Sequence, residues 1–284
     1  MSLPWAEVIG DPVAQSKSPV IHGFWLAASG LPGRYDKTRV AGDDLARFLA
    51  ERRRDSDWRG CNVTVPHKER VVPLLDRLEP QAARIGAVNT VIRDGDALVG
   101  VNTDAGGFID PLREVLGRPH LFRMARVLGT GGAARAIVAA LADEGFTIVL
   151  AGRDPDKAAR LLAELAPDGG HHAVAISHFA EPTDFAFDDR AGCLDLVVNA
   201  TVLGMIGQPP LAFHISHAPP GSIVYDIVYA PLETRLLRDA RARGLPTIDG
   251  LAMLIGQAAE AFERFFGRAP PRGRDGELRT LLAA

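Results

Sequence analysis

Cysteine is nearly absent from this chain, with only Cys61 and Cys193 among 284 residues. So few thiols argue against a disulfide framework, and with no secretory prefix a reduced, cytoplasmic setting is expected. The strand-like "WAEVIG" begins at Trp5 and is read as leaving no room for a signal peptide. Long apolar runs are missing too, and none approaches membrane-spanning length. Nor is there an excess of charge. Lys+Arg 32 against Asp+Glu 35 gives a net of -3, which offers no electrostatic footprint for nucleic acid or an anionic membrane. The one basic run, in "ERRRDSDWRG", falls where a helix over 43–54 should end, and a solvated helix terminus is expected because cations suit that end. The eight histidines are scattered. "HHAVAISH" and "HISH" come nearest to clusters, but neither has cysteines or carboxylates at metal spacing, so no metal site is expected. Internal repeats and low-complexity tracts are also lacking.

What the chain does contain is an alternation of strand-like and helix-like segments, the pattern of an α/β fold with largely parallel sheets. Its length favours two domains. Strands are expected at "AEVIG", over 33–40, at "CNVTV" and at "AVNTVI", and helices over 19–29, 43–54, 80–85 and 105–116. A second unit starts within "RPHLFRMARVLGTGG". Its strands are expected at "ARVLG", "TIVLAG", "AVAIS", "LDLVVNA" and "SIVYDIV". A strongly apolar helix over 251–266 follows, and the "APPRG" turn sets off a last short helix.

"ARVLGTGGAARAIVAAL" places a glycine loop between a buried-type strand and a helix of small residues. Gly129, Gly131 and Ala134 match a G-x-G-x-x-A dinucleotide fingerprint. The first permits a tight turn, the second lets backbone approach a pyrophosphate, and Ala134 allows close helix–strand packing. Pyrophosphate would then rest on the helix N-terminus. The next strand, "TIVLAG", runs into Arg153 and Asp154. There a carboxylate would bind the ribose hydroxyls of NAD, or an arginine the 2′-phosphate of NADP. In "DPDK", Asp154 has a structural role as N-cap before Pro155. That leaves Arg153, assisted by Lys157, to meet the phosphate, and NADP is the expected cofactor.

"CNVTVPHKERVVPLL" raises a separate question. It reads as a strand ending at Pro66 and a helix opening there, which puts Lys68 in a first turn where a cation is disfavoured. The residues three and four positions away are Thr64, Val65, Val71 and Val72, and none is a carboxylate that could compensate the charge. A lysine so placed breaks a local rule, as functional residues tend to do.

Several separate stretches make the chain resemble the shikimate dehydrogenase family, and the likeness covers essentially its whole length. "SKSPVIH", "NVTVPHK", "GAVNT", "GVNTD", "GTGGAARA", "NATVLGM", "DIVYAPLET" and "DGLAMLIGQ" follow in the family's order. The resemblance implies an α/β protein of two domains. A substrate-binding domain over 1–104 is completed by C-terminal helices over 250–284, and a Rossmann-type NADP-binding domain over 105–249 is inserted between them. It also implies a cleft where the two domains meet, and NADPH-dependent reversible reduction of 3-dehydroshikimate to shikimate. The expected partner is this small-molecule substrate, with no nucleic acid and no membrane, in a monomer or homodimer.

Residue by residue, the resemblance makes Lys68 and Asp104 the acid–base pair, with Asp104 also a candidate N-cap for the helix that follows. Ser16 and Ser18 would bind the substrate carboxylate, and Thr64 and Asn89 the ring hydroxyls. Gln257 and Tyr229 would add further contacts. Gly129, Thr130, Gly131, Gly132, Ala133, Arg153 and Lys157 would hold the dinucleotide, with Ile227 and Gly250 near its nicotinamide end and "NATVLGM" along the cofactor cleft. His67 is left out because successive helix residues point about 100° apart. Two departures stand out: Ala105 replaces a common glycine, and "GRD" replaces N-R-T after the second Rossmann strand. Alternatives are a quinate/shikimate dehydrogenase using NAD or both cofactors, and a non-catalytic dinucleotide-binding relative. The presence of both Lys68 and Asp104 speaks against the latter.

Overall fold

The computed structural model describes residues 3–187 and 189–283. The chain divides into two compact units, one running to Gly107 and resuming at Leu254, the other spanning Phe108–Met253. The first unit holds β1 (Trp5–Gly10), α1 (Ser18–Ser29), β2 (Arg34–Arg39), α2 (Leu45–Arg53), β3 (Trp58–Val63), β4 (Arg77–Leu78), α3 (Pro80–Ile85), β5 (Thr90–Asp94) and β6 (Ala97–Val101). At the boundary lie α4 (Asp104–Ile109) and, past a turn containing Pro111, α5 (Arg113–Leu116). The second unit holds β7 (Phe122–Leu128), α6 (Gly132–Asp143), β8 (Thr147–Gly152), α7 (Pro155–Leu165), β9 (His172–Ala175), β10 (Cys193–Asn199), β11 (Ile223–Asp226), α8 (Arg235–Ala242) and β12 (Thr247–Ile248). Helix α9 (Gly250–Phe266) leads back into the first unit, which α10 (Asp275–Ala283) ends.

The first sheet has the order β2-β1-β3-β5-β6-β4 and is mixed, since β5 runs antiparallel to both β3 and β6. The cause is local. Only Gly95 and Asp96 separate β5 from β6, and Gly95 has φ +61. Two residues can close a hairpin but not the long crossover that parallel strands need. On one face Ile9, Trp58, Val63, Val88 and Leu98 pack with Leu45, Phe48 and Leu49 of α2. On the other, Ala6, Val8 and Tyr35 pack against Ala261 and Phe265 of α9. Each large apolar side chain so buried contributes roughly 1.5–3 kcal/mol.

The second sheet is fully parallel in the order β12-β11-β10-β7-β8-β9. This is the classic dinucleotide-binding arrangement, in which the connections reverse direction between the unit's first and fourth strands, β7 and β10. Ligands of such sheets bind beyond the carboxyl ends of the strands at that reversal.

Two local expectations need correction. No α-helix opens at Pro66. Residues 64–67 form a turn closed by the His67 amide on the Thr64 carbonyl (2.9 Å), with a cis Val65–Pro66 peptide, and a short 3-10 segment appears only at Val72–Leu74. Pro73 explains this, because inside a helix it would remove a hydrogen bond and clash with the preceding turn, a cost of about 3 kcal/mol. Lys68 therefore does not sit on a helix N-terminus. Nor is the arginine run simply solvated: Arg52 turns inward to the fully buried Glu7 carboxylate at 2.7 Å, and Arg53 pairs with Asp76. Among the described residues, no helix is long and apolar enough to cross a membrane, and no three His, Cys, Asp or Glu side chains are grouped to hold a metal ion.

Candidate active site

In the first unit, four segments distant in sequence bring polar side chains together. Lys68 follows the 64–67 turn, and its carbonyl is fixed by the Val88 amide at 2.8 Å. Its Nζ meets Asp104 Oδ2 at 2.5 Å, with the two side chains 15% and 5% exposed. A buried charge left alone would cost several kcal/mol, so each group depends on the other. Asn102, not Asp104, caps α4: its Oδ1 accepts from the Asp104 and Ala105 amides, and its Nδ2 donates to the Ala87 carbonyl. This leaves the Asp104 carboxylate free of capping and turned to Lys68.

Asn89 holds the other side of the pair. Its Nδ2 donates to Asp104 Oδ1 (2.9 Å) and Thr103 Oγ1 (2.9 Å) and reaches Gln257 Oε1 at 3.3 Å. Its Oδ1 accepts from the Thr103 amide at 2.7 Å, which fixes the orientation of the side-chain amide. Gln257 is buried and not on an exposed helix face, with its Nε2 donating to Leu254 O of its own helix. Helix α9 can lie this close to α4 because position 107 is glycine: a Cβ there would stand 2.5 Å from the Gln257 nitrogen. Thr64 is half-buried and opens the turn that precedes Lys68. Ser16 and Ser18 lie at the start of α1, where Ser16 Oγ accepts from the Ser18 amide at 3.3 Å. His67 is fully buried with Nε2 donating to the Val40 carbonyl at 2.7 Å. It is therefore turned into the protein, although the helical spacing offered as the reason for omitting it does not exist.

In the second unit, Gly129 ends the glycine-loop strand at φ +120, a region closed to most side chains. A Cβ there would also lie 2.8 Å from the Ala200 carbonyl, the first residue after β10. The loops at the reversal between β7 and β10 thus touch. Gly131 faces open space and is exposed, while Ala134 is fully buried, as a backbone cradle with tight helix packing requires. Thr130, Gly132 and Ala133 are half-buried around it. Asp154 caps α7, accepting from the Asp156 and Lys157 amides at 2.9 and 3.1 Å. Arg153 and the Lys157 side chain are exposed next to it. These residues suit a dinucleotide: an open backbone nest for its pyrophosphate and unburied cations for a 2′-phosphate.

Loop 226–234 carries Ile227 and Tyr229, both half-buried. Burial raises the Tyr229 phenol above its ordinary value. Gly250 packs on the Ile227 and Val228 carbonyls. The loop is tied down by Asp226, which accepts from Asn199 Nδ2 (2.9 Å), the Val228 amide (3.0 Å) and Thr234 Oγ1 (2.7 Å). Burial, partly offset by these donors, pushes the Asp226 carboxyl up to about 6. Reading the sequence missed Asp226, Asn102 and Thr103 as positioning groups. Their signal was present as polar residues directly following apolar strands in "SIVYDIV" and "GVNTD".

The geometry can be set beside known proteins. Residues 8–91 match the family model for the shikimate dehydrogenase substrate binding domain, and 250–274 match that for the shikimate 5'-dehydrogenase C-terminal domain. A shikimate dehydrogenase (NADP(+)) of Sphingopyxis alaskensis is 51% identical over 99% of this chain and 97% of its own. One of Methylobacterium radiotolerans is 45% identical over 100% and 98%. Among solved structures, shikimate 5-dehydrogenase of Thermus thermophilus in complex with NADP(H) and shikimate has a TM-score of 0.79 and 36% identity, covering 99% of this chain and 100% of that one.

Proposed function

The chain belongs to the shikimate dehydrogenase family, and from that premise we propose that it catalyses the reversible NADPH-dependent reduction of 3-dehydroshikimate to shikimate. This is a step of chorismate and aromatic amino-acid biosynthesis. The observation that carries the reading is the buried Lys68–Asp104 pair, held by Asn89.

Bound NADPH supplies the hydride for the carbonyl carbon. The residues do the rest. As the carbonyl oxygen gains negative charge, the Lys68 ammonium gives it a proton, and in the oxidising direction the free amine takes it back. Asp104 holds the lysine in place. Asn89 and Thr64 bind ring hydroxyls, with Gln257 and Tyr229 adding contacts, and Ser16 and Ser18 grip the carboxylate through uncharged donors. Gly129 to Ala133 receive the pyrophosphate, Arg153 and Lys157 the 2′-phosphate, and Ile227 and Gly250 flank the nicotinamide. The substrate-binding domain is assigned to 1–104 with 250–284 and the NADP-binding domain to 105–249. All these residues come from one chain, so a monomer or a homodimer serves equally. Both cysteines are free, which supports a cytoplasmic location.

The test is reduction of NADP⁺ and NAD⁺ with shikimate and then quinate. Shikimate with NADP⁺ is expected to give the highest kcat/KM. Faster turnover with NAD⁺ would overturn the assignment of Arg153, and binding without turnover would make the chain a non-catalytic relative.

A further inference from the structure

Tyr35, on β2, is a buried tyrosine whose hydroxyl lies among polar groups instead of reaching solvent. It donates to Asn62 Oδ1 at 2.5 Å, and the Ser18 side chain lies beside the Tyr35 hydroxyl. Asn62 passes the connection on: its Nδ2 donates to Thr90 Oγ1 at 2.9 Å, and Thr90 Oγ1 donates to Asn89 Oδ1 at 3.2 Å. One hydroxyl therefore stands between the serine turn at the start of α1 and a hydrogen-bonded chain that ends at the amide orienting Asp104.

The ring itself is clamped. His22, fully buried, stacks on it with centroids 3.9 Å apart and planes 2° from parallel, and Phe265 lies on its flank. Both His22 nitrogens lack a hydrogen-bond partner, so the imidazole acts here as a flat packing plate. Burial pushes the Tyr35 phenol well above its ordinary range, and it stays a neutral O–H able to donate and accept at once.

We propose that Tyr35 is a positioning residue of the substrate pocket, its hydroxyl setting the spacing between Ser18, which binds the carboxylate, and Asn89, which binds a ring hydroxyl. The inference rests on the functional reading above. A substrate whose carboxylate and hydroxyls are rigidly separated by a ring is recognised by two ends held at a fixed distance. Without the hydroxyl, Asn62 Oδ1 is left buried without its donor and Ser18 is free to turn. That weakens ground-state binding at one end and leaves proton transfer at Lys68 alone.

The test is steady-state kinetics on Tyr35→Phe, Ser18→Ala and the double variant, with shikimate and NADP⁺. Tyr35→Phe is expected to raise KM for shikimate about tenfold with kcat within about twofold. The double variant should be no worse than Ser18→Ala, because coupled residues are non-additive. A tyrosine that merely fills the core would lower thermal stability without this coupling. An unmoved KM in Tyr35→Phe, a fall in kcat alone, or multiplying effects would each overturn the positioning role while wild-type turnover leaves the functional reading standing. Absence of wild-type turnover overturns both. Should Tyr35→Phe fail to fold, Asn62→Ser removes the same hydrogen bond from the other side. A raised KM at constant kcat then supports the role and an unchanged KM refutes it.

Discussion

Replacing Asp226 by asparagine isolates the energetics of the loop that carries Ile227 and Tyr229. Asp226 is 1% exposed and surrounded by three donors, yet burial outweighs them and lifts its carboxyl from 3.8 to about 6. A carboxyl raised on folding binds more protons in the native than in the unfolded state between those values. Its contribution to stability is therefore complete below 3.8 and lost as pH rises through about 6. The full shift is worth about 3 kcal/mol, of which about 2 kcal/mol has appeared by pH 4.5. Asparagine keeps an acceptor for Asn199 and Val228, while the Thr234 hydroxyl can turn to accept. Between pH 7.5 and pH 4.5, Asp226→Asn should thus lose about 2 kcal/mol of stability relative to wild type. Urea unfolding followed by circular dichroism at several pH values measures the difference. A wild-type–variant difference that stays flat with pH, or one that moves in the variant's favour as pH falls, would refute the reasoning.

His22 should behave in the opposite sense. Burial lowers it from 6.5 to about 3, so its contribution is present above 6.5 and lost as pH falls through about 3. His22→Phe should therefore outlast wild type in acid by about 3 kcal/mol at pH 4.5, and equal acid sensitivity in thermal melts would contradict this. Glu7→Ala leaves Arg52 without its buried partner, and Trp58 and Thr38 lose their acceptor. A loss of about 3–5 kcal/mol in urea melts is expected, against less than about 1 kcal/mol if the pair is dispensable. Arg153→Ser should raise KM for NADP⁺ roughly 10–100-fold and leave KM for NAD⁺ little changed. Equal effects on both would remove Arg153 from the 2′-phosphate.

The regular parts of the fold were legible because they are local. "TIVLAG" is β8 to the residue, α3 spans 80–85, and the glycine loop lies between β7 and α6. The errors arose where one residue overrides a pattern. Pro73 cancels an apolar helical face after Pro66, and the Gly95–Asp96 turn reverses a strand that alternation alone cannot orient. The candidate site was legible as residues but not as geometry. Asn89 and Gln257 meet across 168 residues, and no periodicity encodes that contact. The division of labour by which Asn102 caps α4 while Asp104 turns to Lys68 also depends on tertiary placement, since either residue could cap the helix on local grounds.

The Lys68 ammonium as proton donor is the centre of this account, and kinetics of Lys68→Ala with shikimate and NADP⁺ test it most directly. A proton-transfer group acts in the transition state, so kcat should fall about 10²–10⁴-fold with KM for shikimate within about threefold of wild type. A rise in KM with kcat preserved would make the lysine a ground-state binder and contradict the mechanism.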